Sequence, residues 1–222
     1  MKEKTEKTAR QWVTRVLLAM MACLLLNTAE GYAQQLTQQQ KQAIQRRVKN
    51  KIEEFQFYLE QLGDRRFTDR SMRNEAYNLA LKLFVGHGDQ YSIYEPEQGA
   101  YVVKPPVKIQ TSSKRNSRIV GRTIKSYLAN LKNDARYTHI SIQQADAVYV
   151  DEIYQKGDGI YECMAYFCQK YVAYREGRVV YSDITTKKVR VRIEKFEIPQ
   201  PDGTTRVVWN VLLGDIYVVE TH

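Results

Sequence analysis

The chain is poor in the residues that carry most recognisable chemistry. It has three cysteines, three histidines and two tryptophans among 222 residues. His87, His139 and His222 lie too far apart in sequence for any two to share metal-ligand spacing, and no Cys-x-x-Cys occurs. No metal site is therefore expected. There is no phosphate-cradling glycine loop, no nucleophile elbow and no Ser-His-Asp order, so no cofactor is implied and the familiar hydrolase and nucleotide-binding signatures are excluded. The longest apolar run, Val16 to Leu26, has eleven residues, against about 20 for a membrane-spanning helix.

That run lies between a polar, net-basic leader, "MKEKTEKTARQWVTR", and "NTAEGYAQQ", where Gly31 and Ala33 occupy the −3 and −1 positions of a cut. The layout is that of a secretory signal peptide over residues 1–33, with cleavage after Ala33. Cys23 offers a poor lipoprotein site, since Leu24, Leu25 and Leu26 prolong the apolar run beyond it. An uncleaved anchor would be too short. The expected address is periplasmic or extracellular, with no transmembrane span in the mature chain.

Residues 34–222 suit a single domain with a real core. They retain 29 basic and 22 acidic side chains, a net charge of +7. An exported protein this basic is matched to an envelope protein or an anionic surface, and nucleic acid is the least natural partner. Sixteen tyrosines suit a sheet with one wet face, each ring pairing apolar bulk with a polar tip.

Apolar residues Ile44, Val48, Ile52, Phe55, Leu59 and Leu62 recur at steps of four and three, predicting one long helix ended near Gly63. A second helix is expected after an N-cap at Thr68 or Asp69, with Met72, Ala76, Leu79 and Leu83 as its core line and Gly86 as its stop. A stretch rich in proline, glycine and polar residues follows, a basic loop around 95–118 that has room only for short strands or a small hairpin. Ile124, Tyr127, Leu128 and Leu131 return to helical spacing. The rest reads as four long strands, roughly 138–154, 160–174, 178–197 and 205–219, joined by "QKGDGI", "YREGRV" and "IPQPDGTTR". Gly214 and Asp215 interrupt the last strand as a bulge would.

Helices first, then a four-strand meander closing on "VVWNVLLGDIYVVET", resembles the nuclear transport factor 2-like (NTF2-like) fold. That resemblance implies an α+β domain in which N-terminal helices pack on a strongly curved antiparallel sheet to form a cone. The segment from Gly157 to Lys195, with "WNVLLGDIYV", is also similar to secreted Bacteroidota proteins. Neither resemblance brings an activity with it, because this fold hosts isomerases, dehydratases, secretion-system subunits and binding modules.

In "YECMAYFCQKY" two cysteines stand five apart. On one strand Cys163 and Cys168 face opposite sides and lie about 16 Å apart, beyond the roughly 7 Å reach of a disulfide. No disulfide within the chain is expected, and intermolecular pairing through one of them would make a homo-oligomer. The resemblance implies a carboxylate or histidine with tyrosine hydroxyls opposite if the domain is an enzyme, and Asp146, Tyr149, Tyr166 and Asp215 are the candidates for such a set. Asp146 also reads as an exposed strand residue, and the two tyrosines as cross-strand pairs. For binding, Lys104, Lys108, Lys114, Arg115, Arg118, Arg122 and Lys125 form a basic stretch with no acidic residue from Lys104 to Lys125. The leading expectation is a non-enzymatic binding or assembly module acting through a curved sheet face or this basic loop. The alternatives are a small-molecule pocket with isomerase- or dehydratase-like acid–base chemistry, and a subunit of an envelope secretion or conjugation apparatus.

Overall fold

The computed structural model describes residues 36–66, 70–115 and 118–222. The signal-peptide reading, Cys23 and the N-cap at Thr68 or Asp69 lie outside the described residues. Within Gln38–His222, which packs as one unit, the architecture is α+β with a large mixed sheet. No helix among the described residues is long and apolar enough to cross a membrane.

Helix α1 (Gln38–Gly63) follows the stripe read from the sequence. Ile44, Val48, Ile52, Phe55, Leu59 and Leu62 are all fully buried, and each contributes about 1.5–3 kcal/mol by leaving water. Helix α2 (Arg70–Lys82) keeps part of the expected line, with Ala76 and, just beyond the helix, Leu83 buried. Ala76, Ala80 and Leu81 are buried, while Met72 is 52% exposed. The small alanines let α2 lie close on α1, which leaves the longer Met72 outside that contact. After α2 a tight turn at Val85–Gly88 holds Gly86 at φ 69°, a conformation that favours glycine. Phe84 then meets Phe55 edge to face at 5.2 Å.

The irregular stretch holds a two-stranded hairpin, β1 (Tyr91–Glu95) with β2 (Ala100–Lys104). Strands β3 (Lys108–Thr111) and β4 (Val120–Thr123) follow, then helix α3 (Ile124–Asn133), capped by the Thr123 hydroxyl accepting from the Ser126 amide at 3.2 Å. The expected first long strand is broken into β5 (His139–Gln144), β6 (Tyr149–Val150) and β7 (Tyr154–Gly157), all pairing with β8 (Ile160–Arg175). Beside β8 lie β9 (Arg178–Pro199) and β10 (Thr205–Thr221), with the bulge between Leu213 and Ile216 in place.

One expectation is corrected: the sheet is not purely antiparallel. β3 runs parallel to β10, with Ile109 opposite Ile216. The far edge of β10 would otherwise present unpaired amides and carbonyls. β3 covers that edge while burying Val107 and Ile109 in the core.

The inward face of the three long strands decides where a site can be. On β8 it carries Tyr161, Cys163, Ala165 and Phe167; on β9, Val189, Val191 and Ile193; on β10, Trp209, Val211, Leu213 and Ile216. This is the sheet's share of the core. Further along the same face the chemistry changes to Gln169 and Tyr171 on β8, and to Asp183, Thr185 and Lys187 on β9. Pairing brings these together, since Gln169 faces Thr185 and Tyr171 faces Asp183.

Candidate functional site

The polar half of the inward face is the floor of a cavity of about 710 Å³. Its other walls are α3, through Tyr127, Asn130 and Leu131, the segment Asp134–Tyr137, the basic loop, through Ser113, Arg115 and Arg118, and β4, through Arg122. A volume of this size lies within the roughly 300–1,000 Å³ of small-molecule sites.

Lys187 is central to it. It is 4% exposed, sits between Thr185 and Val189 on the inward parity of β9, and makes no hydrogen bond or ion pair. Burial pulls its amine down to about 8, against which the Asp183 carboxylate holds a proton on. Asp183, also buried, is moved the other way: desolvation raises its carboxyl, while the Tyr181 hydroxyl and the charges of Lys187 and Lys114 lower it. Tyr181 donates to Asp183 Oδ2 and is 2.8 Å from Ser113 Oγ, so one phenol ties the floor to the basic loop. Arg115 lies 4.8 Å over the Tyr181 ring and donates to the Val180 carbonyl at 2.9 Å.

Three further polar groups on the lining lack partners. Gln169 is 4% exposed and its carboxamide makes no hydrogen bond, with Oε1 fully enclosed. The hydroxyls of Tyr127 and Tyr171 likewise have none. Burial pushes Tyr127 up to about 12 and raises Tyr171 as well, so both are neutral donors at physiological pH. Arg136, by contrast, is held by Asp134, with Nη2 to Oδ2 at 2.7 Å and Nε to Oδ1 at 3.0 Å. The cavity thus combines a floor amine without a hydrogen bond, the Asp183 carboxylate that acts on it through charge, neutral hydroxyl and amide groups, and arginines at the rim.

The basic stretch read from the sequence is divided by the fold. Arg115, Arg118 and Arg122 line the cavity. Lys114 is exposed nearby and acts on Asp183 through its charge. Lys104 pairs with Glu95 at 3.3 Å and Lys125 with Asp89 at 2.7 Å. Lys108 is exposed, its backbone amide donating to Asp215 Oδ1 at 2.8 Å. The acid–base candidates are not brought together at the cavity. Asp146 is exposed, accepting from the Ala147 amide at 2.7 Å. Tyr149 is 62% exposed and pairs across strands with Tyr166, ring centroids 6.1 Å apart. Asp215 serves the β10 bulge, accepting from Lys108 and from the Tyr217 hydroxyl at 3.2 Å.

Cys163 is buried and Cys168 half-buried, both free, on opposite faces of β8. No group of three or more His, Cys, Asp or Glu side chains converges among the described residues. Sequence reasoning missed Asp183, Lys187, Gln169, Tyr127 and Tyr171. The available signal was parity: in "SDITTKKVRVRI" the residues 183, 185 and 187 share a face with 189, 191 and 193.

Comparison of the chain with protein-family models, with curated proteins and with solved structures returned no match.

Proposed function

We propose that the protein is an exported binding module that holds an anionic small molecule in the cavity between the sheet, α3 and the basic loop. The observation that carries this reading is Lys187, a buried amine on the cavity floor with no protein partner. Burying a cation unpaired costs several kcal/mol, and an acid group on a ligand would offset that cost. Arg122, exposed at the rim and without an ion-pair partner, supplies a second positive charge on the way in. The element order supports an NTF2-like cone with this cavity at its mouth, and the leader over residues 1–33 supports export to the periplasm or beyond. The lining does not include Asp146, Tyr149, Tyr166 or Asp215, and its own carboxylates are engaged, Asp183 by the Tyr181 hydroxyl and Asp134 by Arg136; binding rather than turnover is favoured.

Titration with inorganic phosphate and D-glucuronate, followed by thermal shift and calorimetry, tests the reading. At least one should bind saturably and raise the unfolding midpoint, as any ligand selective for the folded state must. Lys187→Met should abolish that response and Arg122→Glu should weaken it. Failure of both anions, or binding unchanged in Lys187→Met, would remove the anion site.

A further inference from the structure

Resting on that anion-site reading, we infer that Lys187 is a nucleophile as well as a cation, and that it captures the carbonyl of a 2-oxo acid as an imine. A bare anion would need only a positive charge on the floor. The kind of cation found there does more.

An arginine stays protonated and holds an acid group through a fixed fork of donors, whereas a lysine can shed its proton and use the freed electron pair. The cavity keeps the two apart, with Arg115, Arg118 and Arg122 at the rim and the lysine on the floor. Lys187 has apolar neighbours on three sides. Val189 follows it on the same face of β9, and Phe167 of β8 and Val218 of β10 are its cross-strand partners; Val189 and Phe167 are buried. The tip is not sealed in. Among the described residues, the enclosed side-chain nitrogens and oxygens without a partner belong to Gln56, Arg73, His139 and Gln169. Lys187 Nζ, which also makes no hydrogen bond, is not one of them, so it opens on the cavity that Lys187 lines. A desolvated amine within reach of a small molecule is the arrangement that makes a lysine nucleophilic. With the amine pulled down to about 8, about a quarter of the chains carry it neutral at pH 7.5, against about one in a thousand for an ordinary lysine.

The step balances without a further reagent. The electron pair of neutral Nζ attacks the carbonyl carbon while the carbonyl π pair moves to oxygen, giving a carbinolamine. The C–O bond then breaks as C=N forms. The proton shed by the ammonium passes to Asp183, whose charge reaches the amine, and on to the oxygen, which leaves as water with a second hydrogen from nitrogen. The iminium nitrogen stays positive. The adjacent carboxylate of a 2-oxo acid gives it the direct ion pair that Asp183 does not make. A ketone without the acid group would form the same bond and leave the buried charge unpaired, at a cost of several kcal/mol. Water reverses the step, so the ligand is held covalently and no product forms.

The test incubates the folded chain at pH 7.5 with pyruvate, acetone or lactate and sodium cyanoborohydride, which reduces an imine to a stable amine, and maps the modified lysines by peptide mass spectrometry. Pyruvate should mark Lys187, by the mass of the acid less one oxygen, at least tenfold faster than any other lysine. Acetone should lose most of that preference, and lactate, which has no carbonyl, should mark nothing. Inorganic phosphate and Arg122→Glu should each slow the marking of Lys187 by pyruvate and leave the other lysines unaffected. The main readout is on the parent chain, so it does not depend on a variant folding. Lys187 marked no faster than the other lysines, while phosphate still binds the parent and fails to bind Lys187→Met, overturns the imine and leaves the anion site standing. A preference as strong with acetone as with pyruvate overturns the 2-oxo acid assignment. No preference together with no anion binding overturns both readings.

Discussion

Asp183 and Lys187 stand four residues apart on one face of β9, both buried, with Thr185 between them. They form no direct ion pair, yet each biases the other's proton. Burial pushes both towards neutrality, and the charge of each pulls its neighbour back. An isolated buried amine would be a fault in a structural core. At the floor of a cavity it is the group on which the proposed anion site rests.

The first prediction concerns pH. The Lys187 amine is held near 8 in the folded chain against 10.5 as the ordinary value. Below pH 8 both folded and unfolded chains carry the proton, and the folded state bears the full cost of the buried charge. Between pH 8 and about 10.5 the folded state has released the proton while the unfolded state still holds it, so stability rises with pH through that window. The whole effect is roughly 3 kcal/mol. Lys187→Met should therefore be more stable than the parent at pH 7, with an advantage that shrinks as pH climbs towards 10. Urea unfolding at a series of pH values checks this; an advantage independent of pH would mean that the amine is not desolvated.

How far the sequence foretold this arrangement depends on which half of each strand is considered. The stripe from Ile44 to Leu62 and the alternation of Val189, Val191 and Ile193 were readable because apolar residues at one period mean one buried face. Lys187, Thr185 and Asp183 continue that parity, but charged residues on a strand ordinarily mean solvent. Only the neighbouring strand, with Gln169 and Tyr171 in register beside them, shows that they face inward. Arg192 was legible in direction and not in burial. It points away from the core as its parity requires, yet it is 6% exposed, bonded to Glu194 at 2.9 Å and to the Tyr94 carbonyl of the β1–β2 hairpin at 3.3 Å. Where that hairpin docks has no local sequence signal. Nor does the approach of β3 to β10, a contact between residues more than a hundred positions apart.

Gly63 yields a prediction about packing. A Cβ there would lie 2.4 Å from Ile140 Cγ1 and 2.6 Å from Cδ1, with Ile140 itself buried. Alanine would improve helix propensity by about 1 kcal/mol, but the overlap costs roughly 1–3 kcal/mol or more. Gly63→Ala should be destabilising on balance. Adding Ile140→Ala should cost less than the two single effects summed, because it removes the overlapping atoms. Chemical denaturation of the four proteins measures that coupling.

The two cysteines of the domain should differ sharply in reactivity. Cys163 is buried and its thiol is pushed up to about 12 by desolvation, so little thiolate forms at neutral pH. Cys168 is on the other face of β8 and partly accessible. In the chain from Gln34, a thiol reagent at pH 8 should modify Cys168 at least tenfold faster than Cys163, the second thiol appearing only on unfolding. Mass spectrometry of the peptides decides it. Two equally fast thiols would contradict the placement of Cys163.

Tyr181 joins the loop to the sheet through a single oxygen, which bonds Asp183 on one side and Ser113 on the other. Removing that oxygen should have two separable effects. Tyr181→Phe leaves the ring and its contact with Arg115 in place, so the core should lose only about 1 kcal/mol, the worth of an ordinary hydrogen bond. The loop, however, loses its tether: the amides of Ser113 and Arg115 should exchange with solvent faster while those of Val189 and Val191 stay protected. Asp183 also loses the hydrogen bond that lowers its carboxyl, so its proton should be released at higher pH than in the parent. Carboxyl NMR titration follows the second effect and hydrogen exchange the first. If neither moved, Tyr181 would be a packing residue alone, and the basic loop would owe its position to the Arg115 contacts and the β3–β4 pairing.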